Sequence, residues 1–394
     1  MSPGKSKKGF SDYTDINRVK LVRGGKEYFD LLLNLIECAQ ESVHVQTYIF
    51  ANDETGRIVA DALINAANRN VQVYLVVDGY ASQDIPDLSI LRLLKAGIHF
   101  RFFEPVLKSK YYYFGRRLHH KLAVIDARYA LVGGINISDN YNDLPGKPAW
   151  LDFAVYVEGE IAQQLCVLSW KTWYSYPPHM DPTPCDQKHL KFDFKPEEIC
   201  KVRMRRNDWV RRKNQIFKTY LEIFRHSTSE IIIVASYFLP GKLFRKEIAK
   251  AVDRGVKVRV VLASTSDVAI AKPAERHMYR WLLKNGIMIF EYQPFILHGK
   301  VAICDNKWLT LGSFNVNNIS AFASIELNLD VKQDSFVKSA KQVVEAIIDN
   351  DCARITEEYF KSHNRLLSRI WQRMCYEFVR LLFYLFTFYF SHKE

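Results

Sequence analysis

Two stretches carry the residue types that could do chemistry. Leu118-His119-His120-Lys121-Leu122-Ala123-Val124-Ile125-Asp126 returns as Leu297-His298-Gly299-Lys300-Val301-Ala302-Ile303-Cys304-Asp305. After the same gap of six residues each reaches a small-residue turn and an asparagine, Gly133-Gly134-Ile135-Asn136 and Gly312-Ser313-Phe314-Asn315. Side chains two apart on a strand share a face, so His119 points with Lys121, and His298 with Lys300. An imidazole beside an ammonium calls for an anion. The glycine turns are expected to add backbone N–H donors where a ligand approaches closely, and the asparagines to add amide donors. Two histidines, two lysines and two asparagines meeting in space would make a phosphate site. His120, between the histidine and the lysine, should face away.

The elements that must position these residues also come twice. Before the first motif, apolar spacing predicts a helix from Glu27 to Ala39, a strand from Val43 to Phe50 and a helix from Arg57 to Asn68. A strand from Val71 to Val77, a helix from Ser89 to Ala96 and a strand from Ile98 to Phe103 follow. Before the second motif the same order is predicted: helix Gln215 to His226, strand Ile231 to Phe238, helix Leu243 to Asp253, strand Val256 to Leu262, helix Met278 to Lys284 and strand Ile287 to Tyr292. The fold class is therefore α/β, two similar lobes. Their expected bounds are 19–175 and 201–350, with a flexible basic N-terminus over 1–18, a proline-rich linker over 176–200 and a helical, aromatic C-terminal segment over 351–394. His44 reads as a satisfied structural histidine.

With 394 residues and 48% hydrophobic composition the chain can fill two packed domains. Its 55 Lys and Arg against 43 Asp and Glu give +12, which favours polyanions, either an anionic membrane surface or nucleic acid. The seven cysteines are scattered without CxxC spacing, so they read as free thiols in a reducing compartment, with no zinc site. Cys304, within a motif strand, reads as packing. The polar stretch from Met1 to Asn17 has no apolar h-region, hence no secretory signal and no N-terminal span is expected.

Three further segments bear on partners. Lys108, Lys110, Arg116 and Arg117 interleave with Tyr111, Tyr112, Tyr113 and Phe114. That composition suits an interfacial lipid-contacting loop, a stacking platform for single-stranded nucleic acid, or a plain loop with packed tyrosines. Arg203, Arg205, Arg206, Arg211, Arg212 and Lys213 read first as a solvated face and second as headgroup contacts. Phe378 to Phe390, which includes Phe383 and Phe386, is apolar and aromatic behind Arg365, Arg369 and Arg373. Thirteen residues containing an arginine fall short of the ~20 of a spanning helix, so a helix lying in the membrane interface is expected, with docking on the protein's own groove as the alternative.

His-x-Lys-x4-Asp-x6-Gly-[Gly/Ser]-x-Asn, present twice, resembles the phospholipase D superfamily over most of residues 19–350. The local wording resembles the bacterial cardiolipin synthases, in the short type without N-terminal spans. Its carriers are Tyr48-Ile49-Phe50 with Asp53 and Gly56, the run from His119 to Asn136 with Ser138-Asp139-Asn140-Tyr141, and His298 to Ala302 with Trp308, Thr310, Gly312 and Ser313. The resemblance implies α/β/α sandwich lobes about a pseudo-twofold axis, with the site between them. It implies His119, Lys121, Asn136, His298, Lys300 and Asn315 as catalytic residues, no cofactor and no metal. Asp152 and Glu326 would each accept from the ring N–H of the histidine in its own half. Asp126, Asp305, Gly133, Gly134, Gly312 and Ser313 would be structural. The implied activity is phosphatidyl transfer from one phosphatidylglycerol to another through a phosphatidyl-histidine, on the cytoplasmic face of a cell membrane as a peripheral protein. Alternatives are a hydrolytic phospholipase D, a transferase with phosphatidylethanolamine as donor, or a nuclease, which would leave the aromatic C-terminus without a role. Many relatives carry Arg-Ser where this chain has Asn317-Asn318-Ile319-Ser320, a departure that bears on acceptor choice.

Overall fold

A computed structural model describes residues 12–105, 116–175, 185, 191–317 and 324–391, with side chains described as far as Leu382. The first lobe runs β1 (Thr14–Arg23), α1 (Lys26–Glu37), β2 (Ser42–Thr47), α2 (Glu54–Asn68), β3 (Gln72–Asp78), α3 (Asp87–Lys95) and β4 (His99–Phe103). It continues through β5 (Arg117–Leu118), β6 (Leu122–Ile125), β7 (Tyr129–Gly133), β8 (Phe153–Gly159) and α4 (Glu160–Trp173). The second repeats the order: β9 (Cys200–Asp208), β10 (Lys213–Asn214), α5 (Gln215–His226), β11 (Glu230–Ala235), α6 (Lys242–Asp253), β12 (Lys257–Ala263), α7 (Ala271–Lys284) and β13 (Met288–Tyr292). Then come β14 (Lys300–Cys304), β15 (Trp308–Gly312), β16 (Ser324–Lys332), α8 (Asp334–Asp351), β17 (Cys352–Ile355), α9 (Glu357–His363) and α10 (Leu366–Ser391).

Strand pairing makes one continuous sheet, β4-β3-β2-β6-β7-β8-β1-β9-β16-β15-β14-β11-β12-β13-β17. The antiparallel pair β1 and β9 sits at its centre, one strand from each lobe. The β-branched runs of β2 and β11 lie between a parallel neighbour and an antiparallel motif strand and are buried on both faces, as such strands require. Three apolar clusters follow. One lies under α1, α2 and α3, and one under α5, α6 and α7. The third crosses the seam beneath α4 and α8, joining Leu118, Leu122 and Phe153 to Leu297, Val301 and Ile325.

The motif aspartates do structural work at the turn before β2 and β11. Asp126 accepts from the backbone N–H groups of Gln40, Glu41 and Ser42 at 2.8 to 2.9 Å, and Asp305 from those of Thr228, Ser229 and Glu230 at the same distances. Both occupy the left-handed region, with φ of 52° and 51°, followed by Ala127 at 49° and Asn306 at 56°, as a two-residue hairpin turn requires. Burial pushes the Asp305 carboxyl up, but the N–H groups of Glu230, Ser229 and Thr228 outweigh it and hold it down at about 2.

Several expectations from sequence need correction. β1 begins at Thr14, inside the stretch taken as a flexible N-terminus, because its apolar residues alternate too weakly to announce a strand. Cys200 already belongs to β9 rather than to the linker, and the C-terminal segment begins with strand β17, which covers the edge of β13. Cys166 on α4 and Cys185 are disulfide-bonded, with Cα atoms 5.7 Å apart, so the seven cysteines are not all free; scattered spacing conceals a pair that only folding brings together. The arginine cluster is not simply a solvated face. Arg203 bonds Asp330 at 2.9 Å and Glu222 at 2.8 Å, while Arg205 is buried against Thr219 and Glu222. His44 is a core residue stacked on Tyr74, but its Nε2 has no partner among the described residues; burial holds it neutral.

The last helix answers both readings of the C-terminus. Cys375 and Val379 of α10 pack against Ala274 and Met278 of α7 and against Leu239, which precedes α6. The opposite stripe, Ile370, Trp371, Met374, Phe378 and Leu381, is about half exposed. Among the described residues no helix is long and apolar enough to cross a membrane.

Replacing Asp305 or Asp126 by alanine orphans three backbone donors and should cost about 2 kcal/mol of stability, read as a lower urea midpoint. Because the Asp305 carboxyl is depressed in the folded state, its share is present above the ordinary carboxyl value and lost as pH falls towards about 2.

Candidate active site

Each histidine is placed by a strand of the opposite lobe. The His119 N–H donates to Ile325 O at 3.0 Å while β5 pairs in parallel with the start of β16. The His298 N–H donates to Leu151 O at 2.7 Å beside the bridge between Leu151 and Leu297. The next residue along each supporting strand is a carboxylate. The pairs are therefore crossed: His119 Nδ1 to Glu326 Oε2 at 2.8 Å, and His298 Nδ1 to Asp152 Oδ2 at 2.7 Å. The expectation that each carboxylate serves its own half is wrong, because the sheet seam sets each motif loop beside the other lobe's strand.

A carboxylate at this distance requires the proton on Nδ1, which turns the Nε2 lone pair towards the cleft. Lys300 Nζ, 2.9 Å from His298 Nδ1, then acts on that ring as a neighbouring charge and donates to the His298 carbonyl. Lys121 donates to the His119 carbonyl at 3.1 Å and lies 5.1 Å above the Tyr48 ring. Both histidines are held below the ordinary imidazole range. For His119 the cause is burial, opposed by Glu326 and reinforced by Lys121; for His298 it is burial and then Lys300, opposed by Asp152. The lysines are buried too. Desolvation, partly offset by Glu326 and Asp152, pushes Lys121 down to about 7 and Lys300 to about 8. Each lysine feels both carboxylates, and Lys121 feels the charge of Lys300, so the halves share one electrostatic site.

Asn136 Oδ1 accepts from the Ile49 N–H at 3.2 Å and its Nδ2 donates to the Tyr141 hydroxyl at 2.8 Å. Asn315 Oδ1 accepts from Ser236 Oγ at 2.7 Å. Each amide is thereby oriented through the group that its Oδ1 accepts from. The small-residue turns act differently from the expectation: the N–H groups of Gly133, Gly134 and Ser313 donate to Lys121 O, Phe153 O and Leu327 O, within the sheet. Gly134 is there for space, since a Cβ would overlap the Asp152 carboxylate. Its counterpart Ser313 instead donates its hydroxyl to Glu326. His120 is buried on the far side, against Gln46 at 3.3 Å.

Of the expected headgroup residues, Arg116 is buried between Glu104 and Asp208, each at 3.2 Å, and is structural. Arg117 lies 3.6 Å from Asp78 and over the Tyr80 ring. Lys108, Lys110, Tyr111 and Tyr112 lie outside the described residues, and Phe383 and Phe386 fall on α10 beyond the last described side chain. Residue patterns alone missed Ser236, and Tyr237, which hydrogen-bonds Asp267. Their signal was position: both follow the carboxyl end of a parallel strand, where ligands of open α/β sheets bind.

Comparison with known proteins agrees with this geometry. A family model described as "Cardiolipin synthase, PLD-like domain" matches residues 32–146 and 220–348. Cardiolipin synthase B of Escherichia coli K12 is 31% identical over 349 residues, 86% of this chain and 83% of that protein. A probable cardiolipin synthase of Bacillus subtilis strain 168 is 26% identical over 85% of this chain and 66% of its own length. In fold, the crystal structure of phosphatidylserine synthase from Haemophilus influenzae Rd KW20 superposes with a TM-score of 0.73 at 12% identity, covering 94% of this chain and 95% of that one.

Two buried ammonium groups that titrate this low give the site a pH signature. Inorganic phosphate affinity, measured by calorimetry, should fall as pH rises through about 7 and then about 8, as Lys121 and Lys300 lose their protons. The fall should be roughly tenfold per charge, and Lys300→Met should remove the upper step.

Proposed function

This chain belongs to the cardiolipin synthase family of phospholipase D-like proteins, and from that premise we propose that it transfers a phosphatidyl group from one phosphatidylglycerol to another. The observation that carries the reading is the pair of crossed histidine–carboxylate contacts flanking two buried lysines. That constellation offers two oriented imidazoles and fixed positive charge to one phosphodiester.

His119 Nε2 attacks phosphorus, and the bond from phosphorus to the glycerol oxygen breaks. His298 enters this step as the imidazolium that Asp152 stabilises and gives its Nε2 proton to the departing oxygen, which leaves as glycerol. Glu326 stabilises the charge that develops on the His119 ring. In the second step His298 takes the proton from a hydroxyl of the second phosphatidylglycerol; that oxygen attacks the phosphatidyl-histidine and frees His119. Lys121, Lys300, Asn136 and Asn315 hold the non-bridging oxygens, whose charge grows in both transition states. The lysines are uncharged more easily than surface lysines, and a bound phosphodiester restores their protons; substrate binding and site charging are linked.

The same reading gives α10 a membrane role. Its exposed stripe of Ile370, Trp371, Met374, Phe378 and Leu381 is flanked by exposed Arg365, Arg369, Arg373 and Arg380, the pattern of a helix lying in an anionic interface. Juxtamembrane arginines favour the negatively charged cytoplasmic leaflet.

Incubation with phosphatidylglycerol vesicles, followed by mass spectrometry of the lipids, should yield cardiolipin and free glycerol. Phosphatidic acid alone would make water the acceptor, and no lipid product would overturn the reading. His298→Ala should lower turnover about 10²- to 10⁴-fold and His119→Ala should abolish it, with liposome sedimentation unchanged. Trp371→Ser with Phe378→Ser should weaken sedimentation with anionic liposomes while the fold, monitored by circular dichroism, is retained.

A further inference from the structure

The two halves are close to symmetric around their histidines, yet among the described residues one contact has no counterpart. Tyr141, buried on the turn after the first motif, places its hydroxyl 3.4 Å from His298 Nε2. The phenol is itself fixed: Asn136 Nδ2 donates to its oxygen at 2.8 Å, and its ring packs edge-on to His298 and against Trp150, with centroids 5.2 Å away in each case. On the other side Tyr48 meets His119 ring against ring, 4.9 Å between centroids, with Lys121 over its face. Among the described residues no side chain is hydrogen-bonded to His119 Nε2. In sequence, the position that follows Asn315 as Tyr141 follows Asn136 is Ser320, which has no phenol.

We propose that Tyr141 divides the labour between the histidines: its hydroxyl occupies His298 Nε2, reserving that nitrogen for proton transfer, and so leaves His119 Nε2 as the nitrogen that bonds to phosphorus. This rests on the two-step transfer proposed above. A hydroxyl both donates and accepts. With His298 neutral, the phenol O–H donates to the Nε2 lone pair. With His298 protonated, the phenol oxygen accepts from Nε2–H until the alcohol oxygen takes the proton. In both states the imidazole edge keeps its aim, and its lone pair is withheld from phosphorus. Tyr141 is thus a positioning residue for the proton-transfer arm, set by the same Asn136 that is oriented towards the phosphodiester.

The test uses two donors that differ in their need for an acid. Phosphatidyl-p-nitrophenol releases a stable anion without protonation; phosphatidylglycerol, or phosphatidylethanolamine if that is the lipid turned over, does not. For Tyr141→Phe, kcat on the natural lipid should fall about tenfold with KM within about twofold, while the single-turnover burst of p-nitrophenol, which precedes the second step, stays within about twofold of wild type. Equal losses on both donors, or loss on neither, would overturn the proposal. A second measurement needs no variant: acid-labile phosphoryl groups mapped by peptide mass spectrometry after rapid quench of the wild type with the nitrophenyl ester. The adduct should lie on His119; an adduct on His298, or on both, would refute the assignment. If the wild type forms the His119 adduct but no cardiolipin, the lipid reading fails and the division of labour stands. A wild type inert towards both donors would defeat both.

Discussion

Two carboxylates with no exposure, Asp152 and Glu326, need polar partners in an apolar seam, and each meets its histidine in the other lobe. Everything else about the site follows from that constraint. The lobes must close for the carboxylates to be paired, and closing them sets both imidazoles with Nε2 inward. Joining the halves and building the histidine–carboxylate pairs are one event. The shared cluster beneath α4 and α8 and the central β1–β9 pair join the two lobes through one core and one sheet.

On this frame the halves have diverged where symmetry would be a handicap. Gly134 makes room for Asp152, whereas Ser313 adds a hydroxyl to Glu326. Tyr141 reaches across to His298. Outside, the apolar face of α7 is covered by α10, while its first-lobe counterpart α3 leaves Leu88, Leu91 and Leu94 exposed. The two-step transfer proposed above, with one nucleophile and one proton carrier, gives reason to break a twofold axis in these places.

The motif residues and the duplicated α/β order were legible because they are written in spacing: His-x-Lys fixes a strand face, and alternating helix and strand periods recur in both halves. What escaped depends on relations between distant segments. The crossing of the carboxylates is a property of the seam, and no local pattern in Asp152 or Glu326 encodes which histidine it will meet. The pairing of Cys166 with Cys185 was hidden by scattered spacing. Arg203 and Arg205 looked like surface charge since a strand that directs ion pairs to Glu222 and Asp330 and a hydrogen bond to Thr219 has the same composition as a solvated one. The glycine turns were read for their N–H groups, yet the sheet uses those and the absence of a Cβ is what matters.

The antiparallel seam between β1 and β9 has an evolutionary corollary. Both strands open their lobes, and each contacts the other across the pseudo-axis, so the joint is isologous: one patch meeting its own likeness. A polypeptide of single-lobe length bearing one His-x-Lys strand and one supporting carboxylate would be self-complementary, and two copies would complete the same cleft. Fusion of such a pair adds no contact. What it adds is the freedom for each copy to mutate alone, and Ser313 opposite Gly134 and Tyr141 beside His298 are differences of the kind that freedom permits.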